Sequence, residues 1–98
     1  MMIEVPAARF NPQVAMQRVG YVPFGEGRPG EWSFVRRLGT QFYPRFHVYL
    51  TPGPSTWKLT LHLDQKKPSY AGTSAHGGEY SGDLVEQEAE RLRQLFGR

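Results

Sequence analysis

His47, His62 and His76 are the side chains of this chain best suited to move protons near neutral pH. His47 lies in Arg45–Thr51 and His62 in Thr56–Asp64, two runs that alternate with a period of two, and both histidines fall on the polar side of that alternation. If Val48 pairs with Leu61, the two imidazoles face each other directly, their Cβ atoms about 5 Å apart; a register two residues different leaves them diagonal, and either way they are neighbours. Such a pair can act as base and acid in cleaving RNA through the ribose hydroxyl, with no metal. Asp64, two residues beyond His62, and Glu79, close after His76, could complete the cluster. The same donors, His47, His62, His76 and a carboxylate, also suit zinc or another divalent ion in a histidine-based metal-dependent hydrolase. Their spacing matches no compact metal signature, so neither metal nor other cofactor is assigned. Strands also expose histidines that do no chemistry at all.

Arg45, Tyr49 and Lys58 share the polar face with the histidines, and Lys66, Lys67, Ser69 and Tyr70 follow directly. Cations hold phosphates and rings stack on unpaired bases, so Arg45, Tyr49, Lys58, Lys66, Lys67 and Tyr70 form the expected nucleic-acid-binding set, with Arg36 or Arg37 beside it. A lysine pair after a strand is more often ordinary surface charge. The charge distribution favours the binding reading: Met1–Lys67 carries nine basic and four acidic residues, Pro68–Arg98 three and five. Asp64–Gly82 has no apolar periodicity, and ordered loops of that length are often functional. Neither a G-x-S-x-G turn nor a serine–histidine–acid order suggests an esterase.

A chain of 98 residues closes one core, so 1–98 is expected to be a single domain. It has no cysteine, which removes disulfides, thiolate metal sites and cysteine nucleophiles and suits a reducing cytoplasm. Aromatic content of 13% argues against disorder, and the net charge of +3 suits a polyanionic partner without demanding one. No apolar run is long enough for a membrane span, and Met1–Phe10 lacks a signal-peptide pattern, so no membrane partner is expected.

The elements that must position these groups are legible in part. Asn11-Pro12 starts a helix over 11–20 that Gly20 stops. Antiparallel strands occupy 31–64: Trp32–Leu38, then the two alternating runs joined at Pro52-Gly53-Pro54-Ser55. The long loop fills 64–82. A last helix covers 83–97, opening with a capping-box-like Asp83…Glu86 and carrying Val85, Ala89, Leu92 and Phe96 on one stripe. The expected fold is α+β in α-β-β-β-α order: a three-stranded antiparallel sheet with both helices on one face.

Arg18-Val19-Gly20-Tyr21 at the end of the first helix, Phe34–Thr40 (FVRRLGT) and a histidine before the last helix together resemble the HicA-type toxin family. The resemblance spans most of Asn11–Phe96. It implies a double-stranded-RNA-binding-domain-like fold, messenger-RNA cleavage and a cognate antitoxin. That family's active histidine directly follows a Gly-Ser pair, and here Gln41 follows Gly39-Thr40, so the resemblance carries over fold and RNA binding more than nuclease activity. The leading expectation is therefore a small RNA-binding domain, with metal-independent ribonuclease activity of toxin type as its enzymatic form. A non-enzymatic interaction module, docking an antitoxin or a ribosomal protein, is the alternative.

Overall fold

The computed structural model describes residues 1–25, 27–65, 78–79 and 82–97, with backbone alone for 78–79. The elements run β1 (Met2–Pro6), α1 (Pro12–Arg18), β2 (Val22–Pro23), β3 (Trp32–Arg37), β4 (Arg45–Pro52), β5 (Thr56–Asp64), β6 (Gly78–Glu79) and α2 (Asp83–Phe96). The class is α+β, but the three-stranded α-β-β-β-α expectation is overturned. The sheet is antiparallel throughout in the order β1-β5-β4-β3-β2, with β6 on the end of β5.

The β4–β5 hairpin sits at the centre, and its register puts Val48 opposite Leu61 and His47 opposite His62. The extra strands follow from its edges. Unpaired, β5 would leave a row of donors and acceptors open from Thr56 to Thr60, and β1 closes it. Ile3 then faces Leu59 and Val5 faces Trp57, adding two buried side chains to the core. On the other side β2 covers part of β3, and Pro23, which has no N–H to offer, blunts that outer edge.

Asn11 caps α1 as its type suggests, Oδ1 accepting from Val14 N–H at 2.9 Å. The helix ends in a Schellman turn: Tyr21 N–H donates to Met16 O at 2.9 Å and Gly20 N–H to Gln17 O at 3.1 Å, with Gly20 at φ +98°. That turn drives Tyr21 inward until it is fully buried. At the start of α2, Asp83 is not the cap. Gly82 occupies that position with no side-chain cap bond, and Asp83 and Glu86 lie in the first turn, where their charge suits the helix dipole.

Both helices cover one face of the sheet. Ala15, Met16 and Val19 from α1 and Val85, Ala89 and Leu92 from α2 join Phe34, Val48, Leu50, Leu59 and Leu61 in one apolar cluster. A buried carboxylate locks the layers together. Glu88 of α2 accepts from Tyr21 Oη at 2.7 Å and from Arg91 Nε and Nη2 at 2.7 and 2.8 Å, with Arg36 Nη1 of β3 3.5 Å away. Arg91 Nη2 also donates to Val19 O at 2.8 Å, tying α2 to the end of α1. Burial, and then Glu88, raise the Tyr21 pKa, so the phenol stays a donor. Among the described residues no helix is long and apolar enough to cross a membrane.

Candidate acid-base site

The opposite face of the sheet holds the chemistry. Its rows follow from the register: Val35, His47 and His62 lie side by side, with Ser33, Tyr49 and Thr60 on one flank and Arg37, Arg45 and Asp64 on the other. His47 therefore has Ser33 on one diagonal and Asp64 on the other, both within side-chain reach. Its Nε2 lies 2.7 Å from Ser33 Oγ, and its Nδ1 lies 3.1 Å from Asp64 Oδ2. His62 Nε2 approaches Asp64 Oδ1 at 2.7 Å, and Arg45 Nε approaches Oδ2 at 3.0 Å.

Proton positions follow from what each group can do. An ionised carboxylate only accepts, so His47 Nδ1 and His62 Nε2 carry the protons that face it. In neutral His47 the other nitrogen, Nε2, is then left to accept from the Ser33 hydroxyl. A continuous Ser33–His47–Asp64 relay results. Its members are buried: Ser33 and His47 are each 7% exposed and Asp64 9%.

Aromatic rings enclose the cluster. The His47 ring stacks on Tyr49 at 4.5 Å between centroids, lies 4.9 Å from His62, and meets the edge of Phe24 at 5.9 Å. The Arg45 guanidinium lies over three rings: Phe24 and Phe42 at 4.2 Å and Tyr43 at 4.5 Å. These contacts, together with Asp64, explain how a charged strand residue comes to be 5% exposed.

Burial holds the His47 pKa below its ordinary 6.5, against the opposing pull of Asp64. The unfolded chain thus binds more protons than the folded chain between the lowered value and 6.5. Stability is full above that window and falls as pH drops through it. The thermal midpoint is expected to decrease from about pH 7 to about pH 5, with a shallower slope in His47→Gln. A midpoint independent of pH over that range would contradict the assignment.

The structure unites two of the three candidate catalytic histidines, His47 and His62. His76 lies outside the described residues, as do Lys66, Lys67 and Tyr70. Of the nucleic-acid-binding set, Arg45 is buried and held by Asp64, Tyr49 is half-buried, and Lys58 is exposed. The polar face was expected to be open; instead Phe24, Phe42 and Tyr43 cover its Arg45 end, Phe24 meets the edge of His47, and His47 and His62 are both buried. Ser33 is the residue that sequence reasoning missed. Its strand does not alternate cleanly, because Ser33, Phe34 and Val35 are all buried, so nothing in the pattern singled out its face. The chain order Ser33…His47…Asp64 is a serine–histidine–acid order after all.

A cleft of about 390 Å³ is lined by Gly27, Arg28, Glu31, Tyr49 and Thr60; Ser33, His47 and Asp64 are not among its lining residues. Tyr49 and Thr60 belong to the same row as Ser33. His47, His62 and Asp64 also present three metal-ligating atoms within 4.8 Å of one another. Comparison with family models, curated proteins and solved structures finds no match, so geometry alone carries the functional reading.

Proposed function

We propose that the chain is a small hydrolase of ester substrates, with Ser33 as nucleophile, His47 as general base and Asp64 as the group that orients His47. The reading rests on one observation: Ser33 Oγ 2.7 Å from His47 Nε2, whose Nδ1 lies 3.1 Å from Asp64 Oδ2. A serine hydroxyl is a weak nucleophile until a base takes its proton, and an imidazole does so only in the right tautomer. Asp64 holds that tautomer. As Oγ bonds to the ester carbon, its proton passes to Nε2. Collapse of the tetrahedral intermediate expels the alcohol, which leaves with that proton. Water then attacks the acyl-serine as His47 again takes a proton; the bond to Ser33 Oγ breaks, that proton passes to Oγ, and a carboxylic acid is released. Asp64 stabilises the transient imidazolium in both halves. Substrate enters by the cleft on the Tyr49–Thr60 side.

A fluorophosphonate probe, which reacts with base-activated serines, tests this. The expected result is one adduct on Ser33, found by mass spectrometry, that disappears in Ser33→Ala and is strongly reduced in His47→Gln. Turnover of short-chain nitrophenyl esters falls on the order of 10³-fold or more in each variant. An unlabelled Ser33, or esterase activity unchanged in Ser33→Ala, would overturn the proposal.

One observation favours a second reading, RNA cleavage by the imidazole pair: His47 and His62 face each other with ring centroids 4.9 Å apart, and Lys58 lies exposed on the same sheet face. In that chemistry the ribose 2′-hydroxyl replaces the serine. Ser33→Ala would then leave RNA cleavage intact while His47→Gln and His62→Gln abolish it, and RNA affinity would fall steeply with salt. Salt-insensitive binding, or cleavage lost with Ser33, would exclude it.

A further inference from the structure

We propose that His47 Nδ1, His62 Nε2 and the Asp64 carboxylate form a binding site for a divalent cation of the zinc class, and that the bound ion switches the Ser33–His47–Asp64 relay off. The inhibitory half rests on the hydrolase reading; the binding half does not.

Two imidazoles and a carboxylate are a donor set that borderline ions accept readily. The nitrogens already lie 3.1 and 2.7 Å from the two Asp64 oxygens, and the three ligating atoms fall within 4.8 Å of one another. Bonds of about 2.0–2.2 Å to one ion need only modest side-chain adjustment from there. The ion would take the place of the two protons that now bridge nitrogen to carboxylate, each of which passes to the other nitrogen of its own ring. Neutral imidazole has one proton to place. When Nδ1 of His47 binds a cation, that proton moves to Nε2, which then donates to Ser33 Oγ at the contact where it now accepts.

The two states therefore exclude each other. A base needs its Nε2 lone pair free, and coordination through Nδ1 converts Nε2 to a donor. The supporting contact persists in both, since the Ser33 hydroxyl can donate or accept across the same 2.7 Å. Arg45, 3.0 Å from Asp64 Oδ2, shares the carboxylate's charge and keeps the affinity below that of a permanent structural ion. Reversible occupation is what a switch requires.

The test is zinc titration of the metal-free chain by calorimetry, with nitrogen-15 spectra of the histidine rings recorded alongside. One ion per chain is expected, with at least about tenfold weaker binding in His62→Gln, a loss of about 1.4 kcal/mol. The His47 signals should switch from the Nδ1–H to the Nε2–H form as zinc saturates; this readout uses the unaltered chain and does not depend on how the variant folds. No binding, or binding that leaves the His47 tautomer unchanged, overturns the site. Ester hydrolysis should fall in proportion to occupancy. Zinc bound with the tautomer switched but hydrolysis undiminished overturns the inhibitory half alone, while absence of hydrolysis before zinc is added counts against the hydrolase reading and leaves the site standing.

Discussion

Asp64→Ala is expected to lower folding stability by about 3–5 kcal/mol, the usual cost of removing one partner of a buried ion pair. Asp64 accepts from Arg45 Nε, His47 Nδ1 and His62 Nε2, and its side chain is 12% exposed. Truncation strands a guanidinium that is itself buried under Phe24, Phe42 and Tyr43. Water cannot easily reach it. Among the described residues Arg45 Nη1 has no hydrogen-bond acceptor, so none of these residues takes over the lost contact. Asp64→Asn keeps the volume and one acceptor oxygen but loses the charge, and should cost less, about 1.5–3 kcal/mol. The decisive comparison is the double variant Asp64→Ala/Arg45→Met. Removing both charges together should recover a large part of the loss, because the penalty comes from leaving one buried charge alone. Urea unfolding followed by circular dichroism reads all three. A loss below about 1 kcal/mol for Asp64→Ala would mean that Arg45 finds water or another anion.

Glu88→Ala should destabilise on a similar scale, about 3–5 kcal/mol, for a related reason. Glu88 is 4% exposed and accepts from a fully buried phenol on one side and from Arg91 on the other. Without it the Tyr21 hydroxyl sits in the core with no acceptor, and Arg91 loses the anion that raises its pKa. The effect should divide by partner. Tyr21→Phe removes one donor and leaves Glu88 bound by Arg91, so it should cost only about 1–2 kcal/mol. A Glu88→Ala cost no greater than that of Tyr21→Phe would show that the arginines contribute nothing. Chemical unfolding of the two variants and their double mutant separates the contributions.

Both predictions concern charged residues in the interior, which composition and periodicity describe least well. The hairpin was legible. Arg45–Thr51 and Thr56–Asp64 alternate strictly, and a one-residue slip would have turned Phe46, Val48, Leu59 and Leu61 to the wrong face, so pattern alone set the apolar side and made His47 and His62 neighbours; a two-residue shift keeps every face, so their direct pairing was decided only by the assembled hairpin. α2 was legible for the same reason, through Val85, Ala89 and Leu92 at helical spacing. β1 and β2 were not. Met2–Pro6 and Val22–Pro23 are short and each ends in proline, and what makes them strands is the open edge each one meets.

In the hairpin and in α2 the local code thus determined which side chains share a face, because alternation and helical repeat are properties of neighbours along the chain. It also placed His47 and His62 together, since a hairpin joins neighbours in sequence. Only the tertiary structure decided that the Arg45 end of this face is covered rather than open. The three rings over Arg45 come from Phe24, before β3, and from Phe42 and Tyr43, between β3 and β4, and no periodic pattern in the strands records where such connections fold back. The same holds for Ser33. Its contact with His47 depends on the pairing of β3 with β4, a register set across a loop and by packing on both sides, so the serine–histidine–acid relay emerges only when the sheet is assembled.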